Sequence, residues 1–234
     1  MNPPSDPLRD RDLRQREIVP PDRLAACHAL VLGVGAIGRQ AALQLAAVGV
    51  PRLSLFDDED VRVENLAPQG YWAEDLGTSK VHSTTALCRR LNPLVHVTAH
   101  AERFKRSTVK DLPPGGQLVV FACVDSIGTR RLLWEALRQR AALFVDGRMS
   151  AEVIRVLAVE SPATDSYYAS TLFDRAQAYA GPCTARATIY TASVAAGLMV
   201  GQMTKWLRQL PVDPDLTLNL LAAELTALGQ PVVP

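Results

Sequence analysis

The sequence predicts an α/β chain built on a Rossmann-like, doubly wound, mostly parallel sheet that antiparallel C-terminal strands extend. Three observations carry this prediction. An apolar run, Ala29 to Leu32, breaks into a glycine turn and then a helix-forming stretch. A second apolar run ends in carboxylates, and strand-like and helix-like segments alternate from there toward the C-terminus. At 234 residues the chain suits a single domain, residues 28–234, behind a charged arm at residues 1–27. That length buries a core without disulfide or metal staples.

The elements follow in order. Ala29–Leu32 is a buried strand, GVGAIG is the turn, and RQAALQLAAVGV is a helix that Gly49 and Pro51 end. Arg52–Phe56 is the second strand, and it delivers Asp57, Asp58, Glu59 and Asp60 at its C-terminal end. These pieces make a right-handed βαβ unit of about thirty residues. Thr78–Leu91 reads as a helix, Val95–His100 as an alternating strand, residues 113–116 (PPGG) as a turn and Leu118–Cys123 as a buried strand. A helix over Ile127–Arg140 precedes strands at Leu143–Asp146 and Glu152–Glu160. Residues 161–184 have no clean period and are longer than an ordinary loop, which marks them as a functional candidate. An Ala-rich helix over Ala187–Leu210 and a strand at Leu216–Ala222 complete the chain.

Composition excludes several classes. The 25 basic and 24 acidic residues leave a formal net charge of +1, which argues against bulk attraction to nucleic acid or a membrane surface. Cys27, Cys88, Cys123 and Cys183 form no CxxC and no pairing with histidine at zinc spacing. A reducing cytoplasm is the expected setting. The N-terminus lacks the apolar core of a signal peptide, and Ile189–Val200 is too short to span a bilayer.

Gly33, Gly35 and Gly38 form GxGxxG between a strand and a helix. The amides of Ala36, Ile37 and Gly38 can then face a phosphate. Asp57, about nineteen residues beyond the last glycine, stands where a carboxylate meets ribose hydroxyls. Both features also suit a nicotinamide-dependent oxidoreductase. The residues that follow separate the two readings.

Phe56 to Gly70, FDDEDVRVENLAPQG, resembles the DxDxVxxxNLxRQ pattern of the ThiF, MoeB and ubiquitin-activating enzyme superfamily, with Asp57, Val61, Asn65, Leu66 and Gln69 on its positions. RDLRQREIVP at residues 11–20 resembles that family's arm, GTSKV its GxxKV helix start, and ACVDSIGTRR its DNxxxR segment. The resemblance implies a homodimeric adenylyltransferase that uses ATP and Mg²⁺ on the C-terminal glycine of a ubiquitin-like or sulfur-carrier protein. It places Arg14 on the phosphates of the neighbouring subunit, Lys80 on the phosphates, Asp125 beside the magnesium and Arg130 at the last position of its segment. Lys80 has the compact charge a triphosphate needs. Asp125 follows a buried strand, where it suits a metal or caps the next helix. In a chain of this length, a conjugating enzyme or sulfur donor would be another polypeptide.

Two departures stand out. Pro68 replaces the arginine of NLxRQ and supplies neither charge nor donor. Arg39, directly after the glycine turn, is the candidate substitute. The paired CxxC zinc motifs of many relatives are missing, so no zinc is expected. Cys183, near Arg186 and a helix start, lies where some relatives carry a cysteine that accepts the activated carboxylate; the alternative is an inert side chain. A tRNA-modifying dehydratase, which would bring a nucleic-acid partner, and a non-catalytic scaffold remain as rival readings.

Overall fold

The computed structural model describes residue 8 and residues 10–112, 117–162, 165–172 and 187–228. A short helix α1 (Pro21–Ala25), opened by its proline, leads into β1 (Cys27–Leu32). β1 is buried at every position, as a strand covered on both faces must be. Helix α2 (Ala36–Val48) returns the chain to β2 (Arg52–Phe56). It ends at Gly49, as the sequence led us to expect, and the φ of 99° there makes a left-handed cap.

Next come α3 (Val63–Gln69), a single 3₁₀ turn at Ala73–Asp75, α4 (Lys80–Leu91) and β3 (His96–His100). A second 3₁₀ segment, Arg106–Asp111, precedes β4 (Gln117–Ala122), α5 (Ile127–Leu137), β5 (Leu143–Ser150) and β6 (Val153–Glu160). The described remainder is α6 (Tyr167–Ser170), α7 (Ile189–Leu207), β7 (Leu216–Asn219) and β8 (Glu224–Ala227).

The eight strands lie in the order β3-β2-β1-β4-β5-β6-β7-β8. β3 to β5 are parallel, with Leu30 opposite Ser54 and Val120. β6, β7 and β8 join antiparallel. The expected sheet is therefore present, and the order in which successive strands are added reverses between β1 and β4. Chain leaving β1 crosses toward β2, and chain leaving β4 crosses toward β5, so a crevice opens at their C-terminal ends.

Each sheet face has its own core. One cluster joins Val31, Leu55 and Val145 to Ala42 and Leu45 of α2, Val81 and Cys88 of α4, and Met199 and Met203 of α7. The other joins Leu30, Phe56 and Phe144 to Leu133 and Trp134 of α5 and Tyr168 of α6. Gly147 is what lets α7 settle on the sheet, because a Cβ there would lie 2.4 Å from Met199 Sδ.

Several boundaries differ from the sequence reading. α2 begins inside the glycine motif rather than after it, and α4 begins at Lys80 rather than Thr78. α3 forms although Pro68 lies within it; only one backbone donor is lost, in a helix of 7 residues. β5 runs four residues past Asp146, because pairing with β6 sustains it to Ser150. The single strand expected over Leu216–Ala222 is a hairpin. Asn219 turns the chain by accepting bonds from the Leu221 and Ala222 amides, and β8 returns along β7. The expected PPGG turn lies outside the described residues.

Candidate functional site

The glycine turn sits at the sheet reversal. Gly33 has φ +85° and donates its N–H to Phe56 O at 2.8 Å. A Cβ on Gly38 would lie 1.8 Å from Gly33 O, so only glycine lets α2 start this close to β1. Among the described residues no side chain caps α2 at Gly35. The first-turn amides of Ala36, Ile37 and Gly38 have no intrahelical acceptors, and they lie at the positive end of the helix, the end that favours an anion.

Asp57 closes this turn from the side. Its Oδ2 accepts the Val34 N–H at 2.6 Å and its Oδ1 the Glu59 N–H at 2.9 Å. Burial pushes its carboxyl above the ordinary value, and those two amides and Lys80 oppose the rise. Lys80, the first residue of α4, is buried and donates to Glu59 Oε2 at 2.5 Å. Its backbone N–H also reaches Glu59 O at 3.0 Å. Glu59 is thus a direct neighbour of Lys80 that the sequence reading, which singled out only Asp57 of the four acids, did not pick; its position two residues beyond Asp57 was the available signal.

Asp125 follows β4, is exposed, and makes no hydrogen bond or ion pair among the described residues. The helix-cap role open to it in the sequence belongs to Ser126, whose Oγ accepts the Thr129 N–H at 3.0 Å. Asp125 itself stays exposed, three residues beyond the C-terminal end of β4. Arg130 turns away into the core. It donates through Nε to Asp146 Oδ1 at 2.8 Å and through Nη2 to Gly147 O at 3.0 Å. Arg148 and Tyr168 complete the shell of Asp146, each donating to Oδ2, at 2.8 and 2.9 Å. Nothing in the spacing of Asp146, Arg148 and Tyr168 announced this cluster, because three separate elements bring it together.

Arg39 is 2% exposed and lies over the Tyr71 ring, 4.4 Å from its centroid. Its Nε and Nη2 lack partners among the described residues. Tyr71 OH donates to Val34 O at 2.7 Å, so the ring beneath this guanidinium is tied to the glycine turn. Asn65 turns inward to its own helix, its Oδ1 accepting the Arg62 N–H at 2.9 Å. Gln69 Oε1 is buried without a partner among the described residues and stands within about 4 Å of where a Gly35 Cβ would be.

The arm packs on the far end of α2. Arg11 donates to Ala47 O at 3.2 Å and Gln15 to Val48 O at 2.6 Å. The 13 residues of α2 put this end about 20 Å from the glycine turn. Arg14 is exposed there, a helix length away from its own chain's turn. Burial raises the thiols of Cys27 to about 11 and Cys88 to about 12, and pushes Cys123 up as well. Cys123 is half-buried rather than fully enclosed as expected. Cys183 and Arg186 lie outside the described residues.

Sheet order, glycine turn and flanking carboxylate define a Rossmann-like α/β domain. The chain belongs to the ThiF family, whose model matches residues 11–228. Relatives include mouse "Adenylyltransferase and sulfurtransferase MOCS3", 37% identical over 158 residues that cover 61% of this chain and 34% of that protein. The Haloferax volcanii "SAMP-activating enzyme E1" is 37% identical over 126 residues, covering 53% of this chain and 46% of that one. The Escherichia coli "Sulfur carrier protein ThiS adenylyltransferase" is 33% identical over 134 residues, covering 53% of each. The matched regions thus span between about a third and a half of these relatives. Among solved structures, E. coli MccB aligns with a TM-score of 0.73 at 15% identity, covering 89% of this chain and 63% of that one. This likeness concerns the fold. No helix among the described residues is long and apolar enough to cross a membrane.

Proposed function

We propose that this chain adenylates the C-terminal glycine carboxylate of a ubiquitin-like or sulfur-carrier protein, using ATP. One observation carries the reading: the α2 amides, Asp57, Lys80 and Asp125 stand at the C-terminal ends of adjacent parallel strands, around the β1/β4 reversal, in a ThiF-family chain. The carrier carboxylate attacks the α-phosphorus, and pyrophosphate leaves. The chain's own contribution is to position the reactants and neutralise charge. The α2 amides and Lys80 hold phosphate, and Asp57 takes a ribose hydroxyl. Arg39, with two unpartnered donors, stands in for the arginine that Pro68 replaces.

Asp125 suits magnesium, which takes one or two carboxylates and fills its remaining positions with phosphate oxygens and water. Among the described residues no group of three or more His, Cys, Asp or Glu side chains could hold a metal by itself, so the nucleotide would supply much of the coordination. Bound there, Mg²⁺ would offset charge on the pyrophosphate leaving group.

Arg14 serves the partner's site in a homodimer, a role consistent with its distance from the glycine turn of its own chain. The described thiols are all raised by burial, which leaves Cys183 as the candidate acceptor for the activated carboxylate. The decisive experiment is ATP–pyrophosphate exchange dependent on a partner protein ending in glycine. Exchange that is lost in Asp125→Ala and Lys80→Ala supports the reading. Normal exchange in both variants removes the site assignment, and binding of NAD without ATP replaces it with a redox function.

A further inference from the structure

Lys80 and Glu59 form an asymmetric ion pair. The lysine side chain is 3% exposed and the glutamate 57% exposed, at 2.5 Å. The cation is therefore fixed while its counter-ion can swing into solvent. The backbone around them does not share that freedom. Lys80 N–H donates to Glu59 O, Val61 N–H to Thr78 O, and Gly77 N–H to Val61 O, all within 3.0 Å. Asp60 and Ser79 form a β-bridge across the same gap. Asp57 in turn grips the Glu59 amide with one oxygen and the Val34 amide of the glycine turn with the other. The ribose acid, the glycine turn and the lysine are thus wired through Glu59, and only its carboxylate is loose.

Of the neighbouring acids, Asp58 is occupied by Arg103 at 2.8 Å, and Asp57 by the two amides. Glu59 alone in the acidic run bonds to the lysine. A buried ammonium with no partner is strongly unfavourable, so some anion must neutralise Lys80 when no nucleotide is present. A phosphate arriving at Lys80 meets a carboxylate of like charge already on it.

We propose that Glu59 is the resident counter-ion of Lys80: it holds the lysine in place in the nucleotide-free chain, gives way to phosphate, and by competing for the same ammonium hastens the departure of pyrophosphate. This makes it a positioning residue, and it rests on the reading that Lys80 meets phosphate.

The test is equilibrium binding of ATP and of inorganic pyrophosphate to the full chain in four forms: wild type, Glu59→Gln, Lys80→Gln and the double variant. Removing the competing charge should tighten pyrophosphate binding in Glu59→Gln by roughly 3- to 10-fold, the scale of one like-charge contact at about 4 Å in a water-like dielectric, which suits a carboxylate 57% exposed. Lys80→Gln should weaken binding and make the Glu59 substitution silent in the double variant. Glu59→Asp, which retains the charge, should stay closer to wild type than Glu59→Gln does. A mere folding defect cannot produce tighter binding. Unchanged or weaker binding in Glu59→Gln, with Lys80→Gln still impaired, overturns the proposal while sparing the role of Lys80. Unchanged binding in Lys80→Gln overturns both.

Discussion

The buried carboxylate of Asp146 offers the sharpest test of what holds this domain together. Its side chain is 0% exposed and accepts bonds from Arg130, Arg148 and Tyr168, which come from α5, β5 and α6. Arg148 passes the link on by donating to Thr171 O at 3.1 Å and Thr171 Oγ1 at 2.9 Å. Asp146→Ala leaves two guanidinium groups facing a cavity with no anion. Breaking a buried pair in this way costs about 3–5 kcal/mol. For a domain of this size each kcal/mol lowers Tm by about 2–4 °C, so the expected drop is roughly 6–20 °C. Thermal unfolding followed by far-UV circular dichroism measures that drop, and urea unfolding measures the free-energy loss, with the slope confirming that the same surface is exposed. Tyr168→Phe removes one donor to a charged acceptor and should cost less, about 1.5–3 kcal/mol. A loss below about 1 kcal/mol in Asp146→Ala would refute the reasoning, because it would mean that the two arginines find other partners at little cost.

Gly38→Ala should destabilise the chain by about 1–3 kcal/mol and abolish ATP binding, since its Cβ meets Gly33 O at 1.8 Å; Gly128→Ala, with nothing within 4 Å, is the matched control that should do neither. His28 and His100 have pKa values lowered mainly by burial, and with His96 they line a cavity of about 230 Å³ on the sheet face. Because the unfolded chain takes up protons there first, stability should be fully present above the ordinary value of 6.5 and fall as pH drops below it; a Tm unchanged between pH 7.5 and 5.5 would contradict this. Arg14→Ala and Lys80→Ala chains, each inactive alone, should recover exchange activity when mixed as dimers, and failure of mixed dimers to recover would place Arg14 outside the partner's site. A reducible covalent adduct with the carrier protein should disappear in Cys183→Ala; its survival there would exclude that thiol.

The βαβ opening was readable because its signals are local. An apolar run, a glycine turn and a helix-forming stretch each report on a few adjacent residues, and β1, α2 and β2 form where those signals lie. Lys80 was readable through its motif, yet its burial was not, since that depends on α4 packing beside the β2 end. Asp125 lost the capping role to Ser126 because the choice turns on backbone direction at one residue. The hairpin at β7 and β8 was read as one strand. Leu216 to Ala222 is apolar enough to continue, and the Asn219 side chain, by bonding to amides two and three residues ahead, turns it instead.

By itself, the sequence determined the alternation of elements, the glycine turn and the ordered motifs that the ThiF match over residues 11–228 bears out. These depend on short-range sterics and hydrophobic pattern, which survive in a linear reading. Tertiary structure alone decided which charges meet. Glu59 and Lys80 are 21 residues apart, Arg130 and Asp146 16, and Tyr168 and Asp146 22. Their pairing follows from strand order and helix packing. Burial then makes each pair matter, because a charge withdrawn from water must find its opposite within the fold.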